Sequence, residues 1–250
     1  MGRFAATRLA PHSLSLGFET ENKLTRPQLR DWTLFSKHPR PDEALKAGDL
    51  QRALTEFGLE QMLELRNSMG MTSDGPGVGF GATLWLLGDY EGAGYVWAQI
   101  SERVFKGRYS HSNQKTFQGP LLLWFASVKL ESKDWHDLAT RTFQKLLRNK
   151  LWRSDSVAEL ALFLQKEVDL AFLESKFTEP MRERQFPKAL FYAGVRAIEE
   201  GNKSQALEYW DRVTVPNISL WELEYYLALH ERQRLREELN AQQAAQADRA

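Results

Sequence analysis

The widest mix of chemically useful side chains in this 250-residue sequence falls in ten residues, KGRYSHSNQK, from Lys106 to Lys115. Lys106, Arg108, His111 and Lys115 supply cationic or titratable groups, Asn113 and Gln114 supply amides, and Tyr109 adds an aromatic face. Long polar connections on a rigid scaffold are frequent binding elements. This segment is therefore expected to contact an acidic protein partner through Arg108, Tyr109, His111 and Lys115, the plainer alternative being a solvated connector.

Other patterns lack the spacing that their chemistry demands. His12, His38, His111, His136 and His230 form no His-x-x-x-His pair that would set two imidazoles on one helix face, so no metal site is expected. Gly75, Gly77, Gly79 and Gly81 suggest a phosphate cradle, but no strand precedes them and no Gly-Lys-Ser/Thr follows. No Gly-x-Ser-x-Gly elbow is present, and Ser127 sits inside an apolar stretch as a packing residue. Glu199 with Glu200, and Glu222 with Glu224, fit exposed helix positions where solvation explains them. The expectation is a protein without catalytic residues, metal or cofactor.

Composition points the same way. Thirty-three basic residues balance thirty-three acidic ones, leaving no global field to recruit nucleic acid or an anionic membrane. The basic set Arg141, Lys145, Arg148, Lys150 and Arg153 suits a helix C-terminus, where cations meet the negative end of the dipole. Arg232, Arg234 and Arg236 alternate with Glu231, Glu237 and Glu238 as on a solvated face. Absence of cysteine removes disulfides and thiolate chemistry.

No run approaches the roughly 18 apolar residues of a membrane span. The amino terminus lacks an apolar signal-peptide centre, and Ala6 breaks the myristoylation pattern, so a soluble cytoplasmic protein is expected. Residues 1–18, with Arg3, Arg8 and no acid, weakly resemble an organelle transit peptide.

These side chains must be positioned by helices. Residues 1–41, interrupted by Pro11, Pro27, Pro39 and Pro41, read as an irregular arm, with Leu14, Leu16 and Phe18 alternating as in a short strand. Helical hairpins follow at 42–47 with 50–66, 78–87 with 91–105, 120–130 with 135–149, 156–165 with 169–177, and 187–200 with 203–213. A final helix is expected from Ile218 to about Asn240, and residues 241–250 should fray.

Three hairpins share one register. A small residue lies seven positions before the turn, an Ala five after it and an aromatic nine after it. The sets are Gly81, Ala93 and Trp97 around Gly88; Ser127, Ala139 and Phe143 around Asp134; and Gly194, Ala206 and Trp210 around Gly201. Gly in a helix interior costs about 1 kcal/mol relative to Ala, so its recurrence predicts close helix packing.

Turn positions 48, 88, 134, 168 and 201 are separated by 40, 46, 34 and 33 residues, and the register resembles the tetratricopeptide repeat, whose period is about 34. The resemblance implies an all-α fold: a right-handed αα-hairpin solenoid of about five irregular repeats across 42–240, with the arm before it and the last helix as a cap. In that family the first helix of each pair lines a concave groove, which would place Trp85, Trp124, Phe191 and Val195 toward a partner. The Lys and Asn set that clamps a terminal carboxylate in some members is missing, leaving Lys188 alone.

An apolar groove of this kind suits an amphipathic helix or an extended peptide, unless the arm or the last helix fills it. The function expected is a non-catalytic protein-binding module, such as a scaffold, assembly factor, chaperone or toxin-neutralising immunity protein. A ligand-sensing or enzymatic protein with a polar pocket formed by the inter-repeat loops is the alternative.

Overall fold

In a computed structural model the described residues are 41–67, 75–107, 113–149, 156–177, 182–213 and 223–247, within a unit that spans Arg40–Ala250. Among them every regular element is a helix. The first hairpin is α1 (Pro41–Lys46) with α2 (Leu50–Asn67), and the second is α3 (Gly75–Leu86) with α4 (Tyr90–Phe105). The third pairs α5 (Asn113–Lys129) with α6 (Lys133–Leu147), and the fourth pairs α7 (Ser156–Leu164) with α8 (Leu170–Lys176). Then come α9 (Arg182–Glu199), α10 (Lys203–Val213) and α11 (Leu223–Ala247). Of the arm expected at 1–41, residues 1–40 lie outside the described residues, and Pro41 instead belongs to α1.

One hydrogen-bond pattern closes each hairpin. Gly48, Gly88, Glu131, Lys166 and Gly201 all take positive φ. The N–H of the next residue donates back to a carbonyl five positions earlier: Asp49 to Ala44, Asp89 to Leu84, Ser132 to Ser127, Glu167 to Leu162 and Asn202 to Ala197. This is the left-handed cap that ends helices, which favours Gly because a Cβ is strained there. The second helix then starts on a side-chain cap, with Asp49, Asp89, Asp169 and Asn202 accepting from the backbone N–H three residues on.

Two hairpins repeat the same packing down to single atoms. The indole Nε1 of Trp97 donates to the carbonyl of Val78 at 3.2 Å, and that of Trp210 donates to Phe191 at 3.1 Å. A Cβ on Gly81 would lie 2.5 Å from the Trp97 nitrogen, and one on Gly194 would lie 2.3 Å from that of Trp210. The glycines therefore admit the indole edge to the facing backbone. Ala93 and Ala206, both fully buried, hold the other side of the close approach.

The third hairpin departs from the expected register. Its turn is at Glu131, one helical turn before Asp134, which lies in the first turn of α6. Counted from Glu131, the seventh residue back is Trp124, and those five and nine ahead are His136 and Thr140. Trp124 instead stacks on Phe143, with ring centroids 5.7 Å apart, and meets the His136 ring at 4.0 Å. The fourth turn likewise falls at Lys166 rather than Val168. With the turns at 48, 88, 131, 166 and 201, the last two intervals are equal.

Three helix starts also differ from the sequence reading. α5 and α9 begin before Pro120 and Pro187, which lie inside them. A proline loses one backbone hydrogen bond, but the turn before each inserts an aromatic residue: Phe117 is fully buried, and Phe186 packs against the core. The glycine-rich stretch opens α3 at Gly75, ahead of the start expected at 78, and a Cβ on Gly79 would meet the Phe57 ring at 2.3 Å. At the other end, α11 continues as helix to Ala247, where fraying was expected from 241.

Sequence neighbours pack along the chain, but helices distant in sequence meet too. α9 packs on α5 as well as on α7 and α8, and α11 packs on α3 as well as on α9 and α10. Aromatic rings link the first helices of three hairpins: Trp85 lies 4.5 Å from Phe125, which lies 5.1 Å from Phe191. The core thus runs between α3, α5 and α9.

Candidate functional site

Trp85, Trp124, Phe191 and Val195 were expected to face a groove, yet all four are buried, with Phe191 and Val195 at 0% exposure. As the chain is folded, none offers its side chain to a partner. The Trp85 and Phe191 rings both pack on Phe125, Trp124 stacks on Phe143, and α11 covers part of the surface that α3 and α9 would otherwise present. The polar loop gives less. Arg108, Tyr109 and His111 lie outside the described residues, and Lys115 contributes backbone to the first turn of α5 while its side chain lies outside them. Beside the loop, Lys145 donates to the carbonyl of Phe105, and the charges of Arg141 and Lys145 lie 5.7 and 5.3 Å from the Phe105 ring centroid.

α11 is seated through carboxylates. Glu231, assigned by its sequence context to a solvated face, is fully buried, and so nearly is Glu224 at 2%. Trp85 Nε1 donates to Glu231 Oε1 at 2.7 Å, Lys129 Nζ lies 2.7 Å from Oε2, and Arg234 lies 3.3 Å from Oε1. Tyr192 donates its hydroxyl to Glu224 at 3.3 Å. The cue was present in spacing: Glu224 and Glu231 stand seven residues apart on the stripe that carries Leu227, Ala228 and Leu235.

His230 lies next to this network, its Nε2 3.3 Å from the Tyr90 hydroxyl. Burial holds its pKa below the ordinary 6.5, with Arg234 and Lys129 adding to the depression and Glu231 and Glu237 opposing it. The folded chain thus prefers neutral imidazole, and the unfolded chain binds the extra proton between the two pKa values. Stability should fall as pH drops below 6.5. Thermal melts between pH 5 and 8 will show a slope that shrinks in His230→Gln, and an unchanged slope would remove His230 as its source.

His136 bridges α6 to α9, with Nε2 3.3 Å from Glu199 Oε1 and the ring against Trp124. Among the described residues, no three or more His, Cys, Asp and Glu side chains are grouped to hold a metal ion. Nor is any described helix long and apolar enough to cross a membrane.

An open cleft of about 340 Å³ lies between the hairpins α7–α8 and α9–α10. Three alanines belong to its lining, the buried Ala193 and Ala197 one turn apart on α9 and the exposed Ala171 of α8. Phe163 and Tyr209 are also part of its lining. Large side chains at the alanine positions would bring the hairpins' surfaces into contact; the small ones leave the space.

The rim is polar and preorganised. Arg196 donates to the Phe163 carbonyl at 3.2 Å, lies with its guanidinium 4.9 Å from the Phe163 ring and pairs with Glu200 at 3.2 Å. That hydrogen bond from Arg196 keeps the Glu200 carboxyl below the usual range against the opposing effect of burial, with Lys166 at 3.4 Å adding to the lowering. Gln205 donates to the Tyr209 hydroxyl at 3.2 Å. Phe172, the residue after the lining residue Ala171, is 38% exposed.

Such a site can receive an apolar side chain over the alanines while Gln205, Tyr209 and Arg196 bond the ligand's backbone. The sequence reading missed it because three alanines look like ordinary helix filler, and only the pairing of α8 with α9 brings them together. Compared with protein-family models, with curated proteins and with solved structures, the chain matches none.

Proposed function

We propose that this chain is a protein-interaction module, an irregular tetratricopeptide-like array of αα-hairpins that engages a partner protein at the cleft between α7–α8 and α9–α10. The observation that carries the reading is an opening lined by alanines and aromatic residues, with a fixed polar rim and an exposed aromatic residue beside it. Aromatic anchors and their pockets supply most of the energy in peptide recognition, and a partner's apolar side chain between Phe163 and Tyr209 would be such an anchor.

Ala171→Trp tests this, because Ala171 is exposed and its replacement fills the cleft without entering the core. Quantitative affinity purification from the native source should lose the specific partners of the wild-type chain by about tenfold in the variant. Tyr209→Ala should weaken the same partners, with both variants melting near the wild type. Capture that is equal for all three chains would defeat the assignment of the cleft.

A further inference from the structure

The surface beneath α11 has its own specificity. α11 meets the protein along Glu224, Leu227, Ala228, Glu231 and Leu235, so two of its five buried residues are carboxylates. Each carboxylate lands on donors from other helices: Glu231 on Trp85 of α3 and Lys129 of α5, Glu224 on Tyr192 of α9. A purely apolar slot would accept any amphipathic helix. This one matches acids at i and i+7, because a helix without them would leave a buried indole N–H and a largely buried ammonium unpaired.

α11 is held as well by partly buried His230 on Tyr90, by Arg234 over the Tyr90 ring and by Leu223 and Tyr226 against the cluster of Ala44, Leu45, Ala53 and Phe57, whereas its ion pairs nearer the C-terminus face solvent. Lys203 pairs with Glu238 at 2.5 Å, and Arg236 and Arg232 approach Asp211 at 2.6 and 3.6 Å. Exposed ion pairs hold weakly against water and salt. Beyond Leu239 every described side chain of the helix is exposed, so its last third overhangs its seat. An overhang is where a helix begins to peel, and few apolar contacts define a region of low local stability.

We propose that the face formed by α3, α9 and α10, with Lys129 of α5, is a helix-binding groove, that α11 is its internal occupant, and that a partner protein's acidic amphipathic helix displaces it. The incoming helix would carry two carboxylates seven residues apart, an aliphatic residue three positions after the first and another four after the second. The exchange is one for one: each donor released by Glu231 or Glu224 is taken by the partner's carboxylate. Opening and capture are thereby coupled, since the groove is filled in both states. This surface is separate from the alanine cleft and does not depend on it.

A labelled peptide of residues 223–247 is the probe, titrated into the full-length chain and followed by fluorescence anisotropy. Saturable binding is expected, weakened about tenfold when the peptide carries Glu224→Gln and Glu231→Gln. The chain has no cysteine, so Lys203→Cys with Glu238→Cys allows a bismaleimide to tether α11 in place, which should abolish uptake. Hydrogen exchange of the untethered chain should show α11 opening while α5 and α9 stay protected.

The proposal is overturned by any of four results: no saturable binding, equal binding of the Gln peptide, uptake that survives the tether, or exchange of α11 only together with α5 and α9. Concentration-dependent dimers that refuse the peptide would instead assign the groove to a second copy's α11 and equally overturn it.

Discussion

Gly194→Val is expected to destabilise the chain by about 3 kcal/mol or more, the upper part of the range for forcing bulk into a packed core. A Cβ at this position already falls 2.3 Å from Trp210 Nε1, and the indole cannot retreat without giving up its bond to the Phe191 carbonyl. Burying the freed N–H adds to the steric cost. For a chain of this size the melting midpoint should fall by roughly 6–12 °C.

Two comparisons separate the causes. Trp210→Phe removes the N–H while keeping most of the ring, and should cost about 1–3 kcal/mol. Gly201→Ala tests only the positive φ of 77°, since nothing lies within 4 Å of the new Cβ, and should cost about 1 kcal/mol. Urea titrations measure all three. A Gly194→Val loss no larger than that of Gly201→Ala would mean that the Trp210 seat gives way freely, contrary to the geometry.

Glu231→Ala should cost about 3–5 kcal/mol, because it leaves a largely buried Lys129 ammonium and the Trp85 N–H without their acceptor. Lys129→Met should cost less, since Arg234 and Trp85 still face the carboxylate. The double replacement Lys129→Met with Glu231→Leu should recover most of the loss, as well-packed apolar groups often substitute for a buried pair. The coupling follows from a double-mutant cycle on denaturant midpoints with Glu231→Leu and Lys129→Met as its single variants. Additive losses would show that Lys129 and Glu231 contribute independently despite their 2.7 Å separation.

Helices were legible in the sequence wherever turn chemistry and apolar period agreed. Gly88 and Gly201, each followed by a capping Asp or Asn, located two hairpins and their packing to the residue. The third hairpin misled because Ser127, Ala139 and Phe143 imitate the register in spacing alone, while the left-handed residue that makes the turn is Glu131, a type that carries no turn signal. Prolines misled in the opposite sense: Pro120 and Pro187 look like helix starts, but tertiary burial of Phe117 and packing of Phe186 extend the helices past them.

The candidate sites were harder to read for a different reason. Glu231 stands among alternating charges, and only its place on the stripe of Leu227, Ala228 and Leu235 separates it from the exposed Glu237. Its partners Trp85 and Lys129 come from helices far away in the chain, so the pairing itself belongs to tertiary structure. The same holds for the cleft, where Ala171 belongs to one hairpin and Ala193 to the next.

The bond between Trp85 and Glu231 spans 146 positions of chain. During synthesis, at about 5–20 residues per second, the indole of α3 must therefore wait roughly 7–30 s for its acceptor. The second and third hairpins emerge before α11 with a buried donor still open, and α11 completes them. Emergence of α11, rather than addition of successive hairpins, sets the moment at which this part of the core can close.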